Sequence, residues 1–362
     1  MTPTNTSASD DEQHPALSRR TIVRTAAWSL PVIAVAAGTP LAAASVGVIP
    51  RTDVFLAPGA GPIAVTPPVG AKFVTFELIG GVGGTRGTVG AGGGVVTGTI
   101  GLFGTQTFSY WVGEGGTSGV DNVVSQFVAG GRGHGAGGGV STAGPASGWN
   151  TTMRTGGSGG GASAFYIDGV AVAVAGGSGG GDGFAAVLPA GAIPGGWAAG
   201  GNPGIAQSTN TARFVVAQRG QDATGAAGGP AAPGRSAGAG TAQTQGASGN
   251  AGGLSGGRGG ANGVGWDMYN SANGGVAPWY RQWVTGGAGG GGYFGGGSGA
   301  VQGGEWRVSG ATSAMLLYGA GGGRGSNFTA AGVTGPTSGV AANAVAGGAG
   351  KRVNGRITLT WS

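Results

Sequence analysis

Residues 159 to 181 read GGGASAFYIDGVAVAVAGGSGGG, and this stretch decides the kind of fold the chain can adopt. Between two glycine runs lie ASAFYID (162–168) and Val170 to Val174, joined at Asp168-Gly169, a pair that favours a tight hairpin turn. A chain with 92 Gly and 17 Pro among 362 residues has the composition of low-complexity disorder. The hairpin argues the other way, because disordered chains are poor in aromatic and β-branched runs. Further runs follow the same plan: FVTFELI (73–79), GVVTGTI (94–100), TFSYWVG (107–113), AMLLYG (314–319) and GRITLTW (355–361). The expected fold is therefore mainly β. A convincing capped helical period is missing, apart from one short turn expected around Trp279 to Trp283.

The glycines have an order of their own. Stepping by three from Gly225 to Gly252, every position is Gly or Ala except Gln243. Three residues is the period of a polyproline-II-type helix, in which glycine lets neighbouring backbones approach closely enough to bond. The expectation is a bundle of polyglycine-II helices, since collagen needs strict G-X-Y and far more proline. At Ser255 the step fails and Gly253, Gly256 and Gly259 take over out of phase, which marks a turn. Shorter registers occur at Gly156/Gly159, Gly177/Gly180/Gly183 and Gly286/Gly289/Gly292/Gly295. Ordering glycine costs more backbone entropy than ordering any other residue, so such an array holds only if nearly every inner amide is bonded.

Toward the N-terminus, Ser18-Arg19-Arg20-Thr21-Ile22-Val23-Arg24 precedes an apolar stretch (25–41) broken by Pro31, Gly38 and Pro40. A membrane-spanning helix needs roughly 20 uninterrupted apolar residues, so the stretch reads as the core of a signal peptide. Ala42 and Ala44 supply the small side chains of an exit site, placing the expected mature start at Ser45. The arginine pair Arg19-Arg20 resembles the S-R-R-x-F-L-K pattern of twin-arginine export signals. The protein is expected to be secreted, extracellular or loosely associated with the cell wall, with no membrane span after signal removal.

Three leader arginines are offset by Asp10, Asp11 and Glu12, so the mature chain keeps the whole net charge of +6. Charged residues are only 8% of the chain, and the arginines are spread singly, unlike the basic stripe of a nucleic-acid binder. Nucleic acid is accordingly not an expected partner. The cluster Lys351, Arg352 and Arg356 reads as a solvated turn. With no cysteine in the chain, a disulfide framework and a cysteine metal site are both ruled out.

The order of segments, GPIAVTPPVGAKFVTFELIGGVGG (61–84), GGGVVTGTIGLFGTQTFSYWVGEGG (92–116), the hairpin of 159–181 and a closing VNGRITLTW (353–361), resembles the glycine-rich domain family. That family occurs in secreted bacterial proteins, phage tail fibres and the extracellular part of the anaplastic lymphoma kinase and leukocyte tyrosine kinase receptors. The resemblance implies a tumour-necrosis-factor-like β-sandwich with an inserted polyglycine-II bundle, here about residues 176–310 of a domain covering 45–362. The signalling role of the receptors does not carry over, because their kinase, membrane span and cysteines are missing from this chain.

Candidate chemistry is sparse. His134, the only histidine after the leader, lies in GGRGHGAGGG and reads as an exposed loop residue. GGSGGGDG (176–183) is close to a calcium-binding repeat, but Asp182 falls one residue late and the motif does not recur. No catalytic residue, metal or cofactor is expected. Trp266, Tyr269, Trp279, Tyr280 and Trp283 form an aromatic group that either fills space between the glycine bundle and the sandwich or presents a surface for sugars or a protein partner. Phe73, Phe76, Phe108, Tyr110, Phe165 and Trp361 are assigned to the sandwich core. The leading expectation is a non-enzymatic structural or adhesive protein of the cell surface, with surface glycans or wall polyanions as partners. An ice- or surface-binding protein is the alternative, although no regular threonine spacing is visible along the chain, and a secreted hydrolase is the remaining reading.

Overall fold

The computed structural model describes residues 49–84, 92–119, 127–141, 150–181, 184–186, 221–224, 229, 242–244, 248–250, 256–261, 264–270, 279–299, 301–307, 313–342 and 353–362. Among these residues every regular element is a strand, as the alternating apolar runs require. In chain order they begin with β1 (Arg51–Phe55), β2 (Ile63–Val65), β3 (Phe73–Ile79), β4 (Gly94–Gly101), β5 (Phe108–Trp111), β6 (Phe127–Val128) and β7 (Val140–Ser141). Next come β8 (Asn150–Arg154), β9 (Ser163–Ile167), β10 (Val170–Ala175), β11 (Phe184–Ala186), β12 (Ala242–Thr244) and β13 (Val264–Asn270). The last are β14 (Trp279–Thr285), β15 (Val301–Arg307), β16 (Ser313–Gly319), β17 (Phe328–Thr329), β18 (Thr334–Val340) and β19 (Arg356–Trp361).

Two five-stranded antiparallel sheets share one apolar core. The first runs β1-β19-β3-β4-β18 and the second β17-β10-β9-β5-β2. In β3 the period of two buries Val74, Phe76 and Leu78, and β19 buries Ile357, Leu359 and Trp361 in the same way. These side chains meet Phe108, Tyr110, Phe165 and Ile167 of the second sheet. Phe165 lies 6.0 Å from Phe76 and 6.3 Å from Phe108, while Trp361 meets Phe108 edge to face at 5.6 Å. Of the six aromatics assigned to the core from sequence, Phe73 is the exception. It is 51% exposed, because alternation puts it on the face of Thr75 and Glu77, opposite Val74 and Phe76.

The hairpin at 163–175 has the turn its sequence announces. Asp168 and Gly169 take φ of 51° and 77°, so both central residues of the loop joining Ile167 to Val170 are left-handed. Thr107 N–H donates to Asp168 Oδ1 at 2.8 Å, which ties this turn to the loop entering β5.

Three smaller sheets complete the described strands: β11-β16-β15, β12-β13-β14-β8 and β6-β7. The short helical turn expected at Trp279 to Trp283 is instead part of β14, whose aromatic and β-branched residues pair along their whole length with β13. Strand β8 joins β14 in parallel. Strand β12 is centred on Gln243, the one position that interrupts the three-residue register of 225–252. Most of that register lies outside the described residues.

The glycine segments outside the strands bond to one another with a period of three. Gly157, Ser158 and Gly159 donate their amides to Gly181, Thr117 and Gly138 at 2.9, 3.0 and 3.0 Å. Gly160, Gly161 and Ala162 then return to the same three segments, at Ser178, Glu114 and Gly135. Partner numbers fall by three as donor numbers rise by three, so each neighbour runs antiparallel to 157–162. Gly287, Ala288 and Gly289 donate in the same rotation to Ala320, Gly157 and Gly260, and Gly290, Gly291 and Gly292 to Gly323, Gly160 and Gly257, so two of these three neighbours run parallel and one antiparallel. Bonding of this kind is not confined to 176–310 but also involves Gly81, Gly84, Gly94 and Gly131.

Close approach explains the residue type. A Cβ at Gly160 would collide with the carbonyl of Gly81, leaving no room for even alanine. Serine enters where its hydroxyl replaces a carbonyl as acceptor. In the two GGSGGG segments, 156–161 and 176–181, Ser158 Oγ accepts from Thr117 N–H at 2.8 Å and Ser178 Oγ from Gly83 N–H at 2.7 Å. Gly256, just after the register break at Ser255, has φ of 81°.

Candidate binding surface

The outer face of the first sheet carries an arrangement that no local stretch of sequence contains. Strand register aligns Thr52, Thr360, Thr75, Thr99 and Thr334 as one rank running across all five strands. The next rank, two residues along on four strands and three along on β18, where the register shifts, is Val54, Thr358, Glu77, Thr97 and Thr337. Within the ranks the hydroxyls pair, Thr52 with Thr360 at 3.1 Å, Thr75 with Thr99 at 2.9 Å and Thr97 with Thr337 at 2.5 Å. Thr52, Thr75, Thr334 and Thr337 are exposed, and Thr97, Thr99, Thr358 and Thr360 half-buried.

Beyond the ranks, Arg356 donates to the carboxylate of Glu77, an ion pair with both side chains roughly half exposed. A shallow depression of about 460 Å³ opens beside it, lined by Glu77, Ile79, Val95, Thr337, Gly339 and Arg356 among others. Arg356 thus opens strand β19 and is not part of a solvated turn. Lys351 and Arg352 lie outside the described residues. On the opposite side of the ranks stands Phe73, paired in register with Gly101, whose missing side chain leaves the ring open to solvent.

The aromatic residues singled out from sequence lie on β13 and β14, the two inner strands of the four-stranded sheet. Trp266 is opposite Trp283, Tyr269 opposite Tyr280, and Trp279 opposite Asn270. Register parity sets the three tryptophans together and the two tyrosines on the alternate positions. Arg19, Arg20, Ala44, Ser45 and Asp182 lie outside the described residues.

His134 is buried, where sequence placed an exposed loop. Its amide donates to Ala162 at 3.0 Å, and its ring nitrogen Nδ1 shares a hydrogen bond of 2.9 Å with Tyr166 Oη. The glycine segments hold it there through backbone bonds that leave no trace in local periodicity. Burial pushes the Tyr166 phenol well above its ordinary range. The Tyr110 phenol is raised too, first by burial and then by the nearby charge of Asp53. Next to His134, Glu114 accepts from the side chain and the amide of Arg132, both at 3.2 Å.

The outer face of the second sheet is covered. Tyr293 stacks on Phe328 at 4.0 Å, and both pack with Trp111 against Ala164, Tyr166 and Val174. The outer face of the first sheet is therefore the more open of the two. Among the described residues no helix is long and apolar enough to cross a membrane. The chain matches no protein-family model and no curated protein.

Proposed function

We propose that this chain is a secreted, non-enzymatic protein of the cell surface, a tumour-necrosis-factor-like sandwich carrying polyglycine-II helices that make it a rigid platform for binding. One observation carries the reading: six consecutive amides, Gly157 to Ala162, donate in strict rotation to three neighbouring segments. A three-residue period with bonds between neighbouring segments fits packed polyglycine-II rods. Such a lattice concentrates backbone bonds and close contacts, an arrangement suited to stiffness. Its cost in glycine entropy makes sense where the folded form must last without disulfides.

The Arg19-Arg20 pair, which resembles a twin-arginine export signal, fits the same reading, since that route carries folded cargo and the backbone bonds of 80–84, 157–162 and 287–292 join distant segments. The test is fractionation of cells making the full chain. Replacing Arg19 and Arg20 by lysine should leave the precursor inside, and undiminished secretion would overturn the route. Hydrogen exchange tests the lattice: the amides of 157–162 should be among the slowest to exchange, and rapid exchange there would refute it.

A second reading, adsorption to ice, draws on the threonine hydroxyls of the first sheet, although the twist of that sheet opposes a planar lattice. Thermal hysteresis measures it directly.

A further inference from the structure

We infer that the threonine face of the first sheet is a docking surface for an uncharged polysaccharide chain, laid across the strands along Thr52, Thr360, Thr75, Thr99 and Thr334. The inference rests on the platform reading above and names the site and the ligand class.

Hydrogen-bonding capacity comes first. A hydroxyl both donates and accepts, and each threonine pair uses only one hydroxyl hydrogen internally. The second hydrogen and the remaining lone pairs are left over for a ligand on a face whose threonines are exposed or half-buried. Such a row complements a ligand that also donates and accepts at every repeat, as a polyhydroxylated chain does. Each threonine also offers a methyl group to the apolar faces of sugar rings. Phe73, exposed beside Gly101 at the edge of the rank, supplies a flat ring for stacking.

Charge favours a neutral partner. Among the described residues of this face the charges of Glu77 and Arg356 offset each other, which favours an uncharged partner over a polyanion. The pair instead provides a carboxylate acceptor and a forked donor beside the shallow depression, both able to bond sugar hydroxyls.

Size argues against a second copy of this chain. Four inter-strand steps of about 4.8 Å give a rank about 19 Å long, and the two ranks lie about 7 Å apart. That is about 130 Å², far short of the roughly 800 Å² per partner of a standard protein interface. Twist argues against ice. At about 20–25° per strand, the direction of the sheet turns by about 80–100° from β1 to β18, which a planar lattice cannot follow and a flexible polymer can. A charged pair next to the rank is also a poor match to ice.

The experiment is retention of the full chain on amorphous, acid-swollen cellulose and on immobilised soluble neutral β-glucan, with immobilised heparin as the anionic comparison. The protein is expected to be retained by at least one neutral polysaccharide and not preferentially by heparin. Thr75→Val with Thr99→Val, which keeps shape and removes hydroxyls, should weaken binding by about tenfold or more. The corresponding double serine variant should stay within about threefold of the parent. Phe73→Ala should weaken binding independently, so the inference stays testable if the valine variant unfolds, which thermal melting would reveal. Retention unchanged in the folded valine variant and in Phe73→Ala would overturn the site. No neutral retention by the parent, preference for heparin, or thermal hysteresis without retention would overturn the ligand class. A protein found in the medium that binds no neutral polysaccharide refutes this inference alone. One that binds but never leaves the cytoplasm refutes the export reading alone.

Discussion

The indole Nε1 of Trp361 donates to Asp53 Oδ2 at 2.9 Å across a separation of 308 positions, at the seam where β1 pairs with β19. Trp361 is fully buried, and Asp53 also accepts from Arg51 at 2.7 Å. One side chain thereby joins the first and last strands and fills the centre of the core. Trp361→Phe keeps an aromatic filler but removes the donor and some volume. It should lower stability by about 1–3 kcal/mol, read from urea unfolding, and a loss below about 0.5 kcal/mol would show that the bond contributes nothing.

Gly160 separates lattice packing from glycine content. Gly160→Ala drives a methyl into the Gly81 carbonyl and should yield protein that fails to fold or melts far below the parent. Gly104→Ala meets nothing within 4 Å and should shift stability by less than about 1 kcal/mol. Equal effects of the two in thermal melts would contradict the close approach.

Ser178 is expected to matter for its oxygen. Ser178→Ala leaves the Gly83 amide without its acceptor in a fully buried site, a loss of about 1–3 kcal/mol. Chemical denaturation measures it, and a neutral result would mean that the amide finds another acceptor.

Alkaline pH should unfold the protein partly through Tyr166. Its phenol is raised in the folded state above the ordinary value of 10.0, so the folded form resists ionisation. The associated stability is fully present below pH 10.0 and is lost as pH rises beyond it, where the unfolded chain ionises first. Tyr166→Phe should flatten the fall in stability above that pH. An unchanged alkaline slope would assign the effect to other groups.

Much of the strand framework was legible locally. FVTFELI, GVVTGTI and GRITLTW have the period of two that buries one face, and Asp168-Gly169 can take two positive φ values at little cost. Phe73 has the residue type of a core position, but its alternation with Val74 and Phe76 sets it on the solvent side. Trp279 to Trp283 was ambiguous, since a short aromatic run has no period long enough to separate a helical turn from a strand. His134 was illegible, because what buries it is a set of backbone bonds to Ala162 and its neighbours.

By itself the sequence determined a β-rich chain whose glycines recur by threes, since strand alternation and close backbone packing both demand particular residue types at short intervals. Only the tertiary structure decided which segments meet. Thr52, Thr75, Thr99, Thr334 and Thr360 have no common spacing, and they form a rank because β19 inserts between β1 and β3 while β18 closes against β4. Register between strands distant in the chain is set by which faces are buried together, and that is a property of the assembled core.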